Sequence, residues 1–350
     1  MKICIVTVYN TENCGSFLQA YALKETLEHA GHKVTFLERN LKGTANSVSR
    51  HLTQSLKYLA RGKFWQAGAE WLRFHNFRKA GRVFDVTENR RESWEDIDCF
   101  VIGSDTIWNF DSPYFFQKRT RYLGLDFAGK KRIAYGASIG NTKYSTMRER
   151  PEIAKGIKGL AQISVRDEYS KQIVDELEET DAPIVADPTL LIPCEVYRSV
   201  ESRQQEEDYI LLYYFGKIPE RVKNQILTFA GREKKKIISF GEYRGWCSKS
   251  IVYDPAAFLA YFRRADFIVT NTYHGTIFSV LYQKRFADYG GEKKKVADLL
   301  SQFDLEQHLC GEETDLGEIL HLMPDAARVK EKIEEFRKVS NEYLRNAIGE

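Results

Sequence analysis

The sequence predicts an α/β protein built from two Rossmann-like units with a cleft between them. Three observations lead there. Apolar, strand-like runs alternate with helical patterns over most of the length. The runs end in polar or glycine-containing turns. The alternation breaks at Asp187-Pro188 and at the charged stretch 201–208, then resumes. At 350 residues the chain is too long for one ordinary core, so two domains are the natural prior. The expected division is 1–195 and 205–324, with a linker inside 190–207. Residues 325–350 are expected to form a charged helix that packs back on the first domain.

In chain order, residues 3–8 make the first expected strand. A helix over 16–30 follows, with Phe17, Leu18, Tyr21, Ala22 and Leu27 on one face. Gly31 stops it, and 33–37 is the next strand. Strands are then expected at 99–102, 132–135, 163–165 and 184–186. In the second unit, strands at 209–215, 236–240 and 266–270 alternate with helices at 219–230 and 255–263. Residues 48–82 interrupt the pattern. They hold eight lysines and arginines, Glu70 as the sole acid, and interleaved Phe64, Trp65, Trp71, Phe74 and Phe77. This predicts a helical insertion with a basic face: a lid whose aromatics pack onto the domain, or a surface for an anionic or lipid-linked acceptor.

Composition sets the class. Apolar residues are 43% and charged residues 29%, a folded globular balance. A net charge of +3 is too small to argue for nucleic acid. No apolar run reaches the length of a spanning helix. The first residues enter a strand pattern directly rather than a secretory signal, so a cytoplasmic location is expected. The six cysteines are scattered without a Cys-x-x-Cys pair, and buried free thiols are expected. Cys14, beside Gly15, is expected to be a bystander. Six of the seven histidines (His29, His32, His51, His75, His308 and His321) sit in helical or turn contexts and are expected to be solvated. No dinucleotide fingerprint or P-loop is present. Asp96-Ile97-Asp98 could suggest the paired carboxylates of a metal-dependent sugar transferase, but it precedes its strand and so falls at the wrong end of the sheet.

The candidate site residues share one topological position. Asn13, Gly15 and Ser16 follow the first strand. Ser104 and Asp105 follow the third, Ser138 the fourth, Arg166 the fifth, and Asp187 the run 184–186. All should lie along the carboxyl edge of one parallel sheet, where open α/β folds bind ligands. From the second unit, Asn271, Thr272, His274 and Gly275 run from a strand into a helix. Such a junction favours an anion, and a histidine beside an anion can move a proton near neutral pH.

Taken as an ordered set, these motifs resemble the polysaccharide pyruvyl transferase family. The resemblance rests on Asn13-Cys14-Gly15-Ser16, Gly103-Ser104-Asp105-Thr106-Ile107-Trp108-Asn109, Gly136-Ala137-Ser138, Ser164-Val165-Arg166-Asp167, Asp187-Pro188-Thr189 and Thr272-Tyr273-His274-Gly275. It covers roughly residues 1–300. It implies an architecture like that of the B-type glycosyltransferases and no required metal or other cofactor. It implies phosphoenolpyruvate as donor, a sugar hydroxyl pair of a surface polysaccharide or its lipid-linked precursor as acceptor, and peripheral contact with the inner face of the membrane in the lipid-linked case. Two positions depart from the pattern. Thr106 stands where glutamine is usual, and Tyr273 where some members carry arginine; Lys293, Lys294 or Lys295 would then supply the positive charge. His274 is the candidate general acid. Arg166 and the helix start at Gly275 are candidates to hold the donor's anions. Asp105 or Asp187 would orient or deprotonate the acceptor hydroxyl. The rival expectations are a nucleotide-sugar glycosyltransferase of the same architecture and a non-enzymatic member of the fold.

Overall fold

A computed structural model describes residues 1–37, 48–86 and 94–349. Two five-stranded sheets, both entirely parallel, organise them. The first comprises β1 (Lys2–Val6), β2 (Lys33–Phe36), β3 (Cys99–Asp105), β4 (Lys131–Ala137) and β5 (Gln162–Val165), in spatial order β2-β1-β3-β4-β5. The second comprises β6 (Tyr209–Tyr213), β7 (Lys236–Phe240), β8 (Lys249–Ile251), β9 (Phe267–Thr270) and β10 (Arg285–Asp288), in order β10-β9-β6-β7-β8. Parallel strands need covering on both faces, so the central ones read as continuous apolar runs. All seven residues of β3 and all five of β6 are buried.

Strand order reverses between β1 and β3 in one sheet and between β9 and β6 in the other. At such points neighbouring crossovers diverge to opposite faces and leave a crevice at the carboxyl ends of the strands. One apolar cluster runs through both halves, from Phe17 and Phe77 to Tyr213, Phe258 and Phe278. The expected insertion is a helical hairpin, α2 (Val48–Ala60) and α3 (Phe64–Val83), which follows α1 (Cys14–His29) and β2 in the chain. The last helix, Ala326–Ile348, returns to the first sheet. There the Tyr343 hydroxyl donates to the Ala134 carbonyl at 2.7 Å, and Ser340 Oγ accepts from Ala186 N at 2.9 Å.

Three strand expectations change. Residues 184–186 make a single bridge, Ile184 to Val165, rather than a sixth strand. Pro183 and Pro188 flank them, and a proline cannot donate to a ladder. Conversely, β8 and β10 have three and four residues, too few to show a period in the sequence. The histidine expectation fails at His32, His51 and His308, which are buried. His308 stacks on Phe286 with ring centroids 4.2 Å apart, and its Nδ1 lies 2.8 Å from the Phe286 carbonyl. Cys4, Cys14, Cys99 and Cys310 are buried free thiols, and Cys194 and Cys247 are half-buried. Burial pushes the Cys14 thiol well above its ordinary range, so it is no ready thiolate.

Candidate functional site

The facing carboxyl edges of the two sheets bring together a compact set of charged and aromatic side chains. Asn13 caps α1, its Oδ1 accepting from Ser16 N at 3.1 Å. This turns Ser16 Oγ toward Asp105, to which it donates at 2.7 Å. Asp105 ends β3 with a left-handed φ of 79°, an uncommon conformation for a residue other than glycine. Its other oxygen accepts from Thr106 N at 2.7 Å and from Arg166 Nη2 at 3.1 Å. Arg166 follows β5 and donates through Nη1 to Asp187 Oδ2 at 2.7 Å. Asp187 Oδ1 in turn accepts from the Thr189 amide and hydroxyl. The arginine thus binds two carboxylates at once, with its side chain fully buried.

The second half closes over this ladder. His274 lies in the first turn of the helix Tyr273–Leu281, with Nε2 at 3.7 Å from Asp187 Oδ2. That nitrogen is buried and has no hydrogen-bond partner. The Tyr273 ring sits under the Arg166 guanidinium, 4.7 Å from the centroid, and the Lys295 ammonium lies 5.3 Å from the same centroid. Gly15 meets the imidazole edge-on. A Cβ there would fall 2.2 Å from His274 Nδ1, so only glycine fits.

The charges shape one another. Burial would raise the Asp105 carboxyl, but Arg166, His274, Lys295 and the Ser16 hydroxyl together hold it well below the usual range. Burial pulls the His274 imidazole down, and Arg166 and Lys295 add to this against the pull of Asp187 and Asp105. Burial and then Arg166 lower the Lys295 ammonium to about 8. The empty site therefore holds a depressed imidazole and a depressed ammonium side by side. An arriving anion would favour the protonated form of both.

Several residues expected at a ligand are instead occupied by the fold. Ser104 Oγ donates to the Gly136 carbonyl at 2.7 Å, and Ser138 Oγ accepts from Gly140 N at 3.2 Å; both residues are fully buried. The Asn271 side chain brackets the Phe215 backbone, accepting at 2.9 Å and donating at 3.0 Å. Thr272 Oγ1 caps the helix through Gly275 N at 2.9 Å, so that amide is not open to an anion. Gly275 is required because a Cβ would fall 2.1 Å from Thr270 Oγ1. Of the three consecutive lysines, Lys293 donates to the Asn271 carbonyl and Lys294 lies over the Tyr169 ring, which leaves Lys295 facing the site. Asp98 accepts from Lys2 N at the amino end of the first sheet, opposite the site.

Sequence reasoning missed a second buried polar cluster. Glu12, one residue before Asn13, places its carboxylate 3.0 Å from His51 Nε2 and 2.7 Å from Arg73 Nε. Glu70 lies 2.8 Å from His51 Nδ1 and 2.6 Å from Arg73 Nη2. Among the described residues, Glu12, His51 and Glu70 form a set with the spacing of metal ligands. Arg73 already supplies positive charge to both carboxylates, which fits a latch between the insertion and the β1 loop better than an ion site.

The sequence matches the polysaccharide pyruvyl transferase family over residues 13–287. The chain belongs to that family. Membership places it among transferases, and the match spans the site from Asn13 to Gly275, with Lys295 beyond its end. No curated protein matches the chain. Solved structures share its architecture at low identity. A UDP-GlcNAc 2-epimerase from Neisseria meningitidis bound to UDP-GlcNAc is 11% identical over 99% of this chain and 97% of that one, with a TM-score of 0.50. The UDP-GlcNAc 2-epimerase of Methanocaldococcus jannaschii is 13% identical over 97% and 99%, with a TM-score of 0.51. A further UDP-N-acetylglucosamine 2-epimerase is 10% identical over 99% and 93%, with a TM-score of 0.55. At these identities the likeness is one of fold: two Rossmann-like domains in the glycosyltransferase-B arrangement.

Proposed function

We propose that this family member moves the enolpyruvyl group of phosphoenolpyruvate onto a pair of sugar hydroxyls of a surface polysaccharide or its lipid-linked precursor. C3 of the donor takes a proton and C2 becomes electrophilic. One acceptor hydroxyl adds to C2, the C2–phosphate bond breaks, and the second hydroxyl closes the ring. Of the two hydroxyl protons, the balance leaves one on the new methyl group and one on phosphate. The chemistry needs a proton donor and cations for a carboxylate and a phosphate.

One observation carries this reading. His274 presents an unpartnered buried Nε2 beside Arg166 and Lys295, at the junction of the two halves. His274 would deliver the proton. Lys295 and Arg166 would face the donor's anions, and Asp105, already in contact with Ser16, would orient the acceptor hydroxyl. In this assignment Asn13 and Gly15 shape the loop, while Ser104, Ser138, Asp187, Asn271, Thr272 and Gly275 hold the site's walls. The halves 1–195 and 205–324 each contribute one side.

The test is incubation with phosphoenolpyruvate and a panel of lipid-linked or nitrophenyl hexosides. Acceptor-dependent phosphate release supports the reaction. A melting shift with a uridine nucleotide and none with phosphoenolpyruvate would select the nucleotide-sugar glycosyltransferase instead. A non-catalytic role is the second reading. The pairing of Arg166 with both Asp105 and Asp187 favours it, and a protein inert to both donors would select it.

A further inference from the structure

The first helix of the α2–α3 hairpin is amphipathic in an inverted sense, while α3 buries Ala67, Phe74, Phe77 and Ala80 in the ordinary way. On α2 the side turned toward the protein is polar. His51 and Ser55 are its buried residues, and the Ser55 hydroxyl donates to the Ala67 carbonyl of α3 at 3.0 Å. The apolar stripe faces outward instead. Leu52, Leu56 and Leu59 recur at helical spacing and are 52%, 56% and 45% exposed. Phe64, at the start of α3, is 74% exposed, and Trp71 and Leu72 follow on the same helix. Eight of the sixteen exposed large apolar side chains among the described residues lie in this hairpin. Isolated exposed leucines need no explanation, whereas a concentration of this kind marks a contact surface.

Charge identifies the contact. Lys57, Arg61, Lys63, Arg78, Lys79 and Arg82 are all exposed on the same hairpin, whose one acid, Glu70, is buried. A second copy of the chain would bring an equally basic hairpin against the first, and like charges would oppose a symmetric contact. The flanking stretches 38–47 and 87–93 hold Leu41 as their single large apolar residue, too little to cover the stripe. No helix among the described residues is long and apolar enough to cross a membrane. We propose that the α2–α3 hairpin is an interfacial docking element that seats this protein on an anionic phospholipid bilayer. The apolar stripe enters the headgroup–acyl boundary, and the lysines and arginines meet the lipid phosphates. This rests on the hairpin alone and is independent of the donor chemistry.

The experiment is sedimentation with vesicles of phosphatidylcholine alone and of phosphatidylcholine mixed with phosphatidylglycerol. The full chain should pellet with the mixed vesicles, less so as salt rises, and stay in solution with the neutral ones. The triple variant Leu52→Glu, Leu56→Glu, Phe64→Glu should lose vesicle binding while keeping the parent melting temperature. The variant Lys57→Gln, Arg61→Gln, Lys63→Gln should bind more weakly by about fivefold per charge removed. Failure of the parent protein to bind mixed vesicles overturns the proposal, as does equal, salt-insensitive binding to both kinds. A concentration-dependent dimer abolished by the leucine variant would name a second copy as the occupant and overturn it as well.

Discussion

Two histidines in this molecule sit among carboxylates, and they differ in what is left over. His51 has a carboxylate within 3.0 Å of each ring nitrogen, and Arg73 pairs with both of those carboxylates. His274 has one carboxylate oxygen at 3.7 Å and an Nε2 with no hydrogen bond. The first arrangement is crowded: Glu12 and Glu70 both lie within reach of His51 and Arg73, and the result is a latch. The second is open: the His274 ring packs against Gly15, and its charged neighbours leave room beside it. Neither Nε2 makes a hydrogen bond, so what separates the two rings is the carboxylate within 3.0 Å of each nitrogen of His51 against a single carboxylate oxygen at 3.7 Å from His274.

The contrast can be broken most directly at the rings. His274→Ala should leave the melting temperature near the parent value and lower turnover by about 100- to 10,000-fold, the usual contribution of a general acid. Near-native phosphate release from the purified variant would make His274 a packing residue. His51→Ala should do the reverse. It removes the buried hydrogen-bond partner of Glu70 and should cost about 1–3 kcal/mol of stability in denaturant titration. A stability loss indistinguishable from that of an exposed histidine variant such as His75→Ala would deny the latch.

A finer probe is Gly15→Ala. The added methyl group must displace the His274 ring, and overpacking of this kind costs about 1–3 kcal/mol. Turnover should fall more than donor affinity. Unchanged kinetics would show that the halves do not meet this way during catalysis. Proton counting sharpens the comparison further. His274 and Lys295 are both lowered in the empty site, and a bound dianion raises both. Phosphoenolpyruvate binding should therefore take up protons, most clearly near pH 8, where Lys295 is divided between its two forms. Calorimetry in buffers of different ionisation enthalpy reads this directly, and proton release would reverse the assignment. The smallest effect is expected on the insertion. Lys57→Glu with Arg61→Glu should raise KM a few-fold for a lipid-diphosphate acceptor and leave a neutral nitrophenyl sugar nearly unaffected, because exposed charges act on charged ligands and are screened by salt. Equal effects on both acceptors would remove the insertion from acceptor docking.

The alternation of strands and helices was legible because parallel strands are buried on both faces, so runs such as Cys99–Asp105 stand out from their surroundings. The placement of Asp105, Arg166 and His274 followed from that alone, since residues just past such strands must lie at the carboxyl edge. Which of the edge residues face inward did not follow. Ser104 and Ser138 point into the sheet, and Asn271 clamps a neighbouring backbone, because short polar side chains bond to whichever main-chain group is nearest. His51 was misjudged for a different reason. It lies on the polar side of an amphipathic helix, and that side is normally the solvated one. Here α2 is turned over, and no local pattern reports the orientation of a helix on its domain.

Glu12 has a mechanical consequence. Its backbone is left-handed, with φ of 55°, and it stands immediately before Asn13, the cap on which Ser16 depends. Its carboxylate is gripped from the insertion by His51 and Arg73. The loop that delivers Ser16 to Asp105 is therefore suspended at two points, one on its own strand and one on a hairpin that enters the chain more than thirty residues later. The contacts from the hairpin to the serine's loop run through Glu12, His51 and Arg73 and not through either sheet. The insertion is the far abutment of a short bridge whose span carries Asn13 and Ser16.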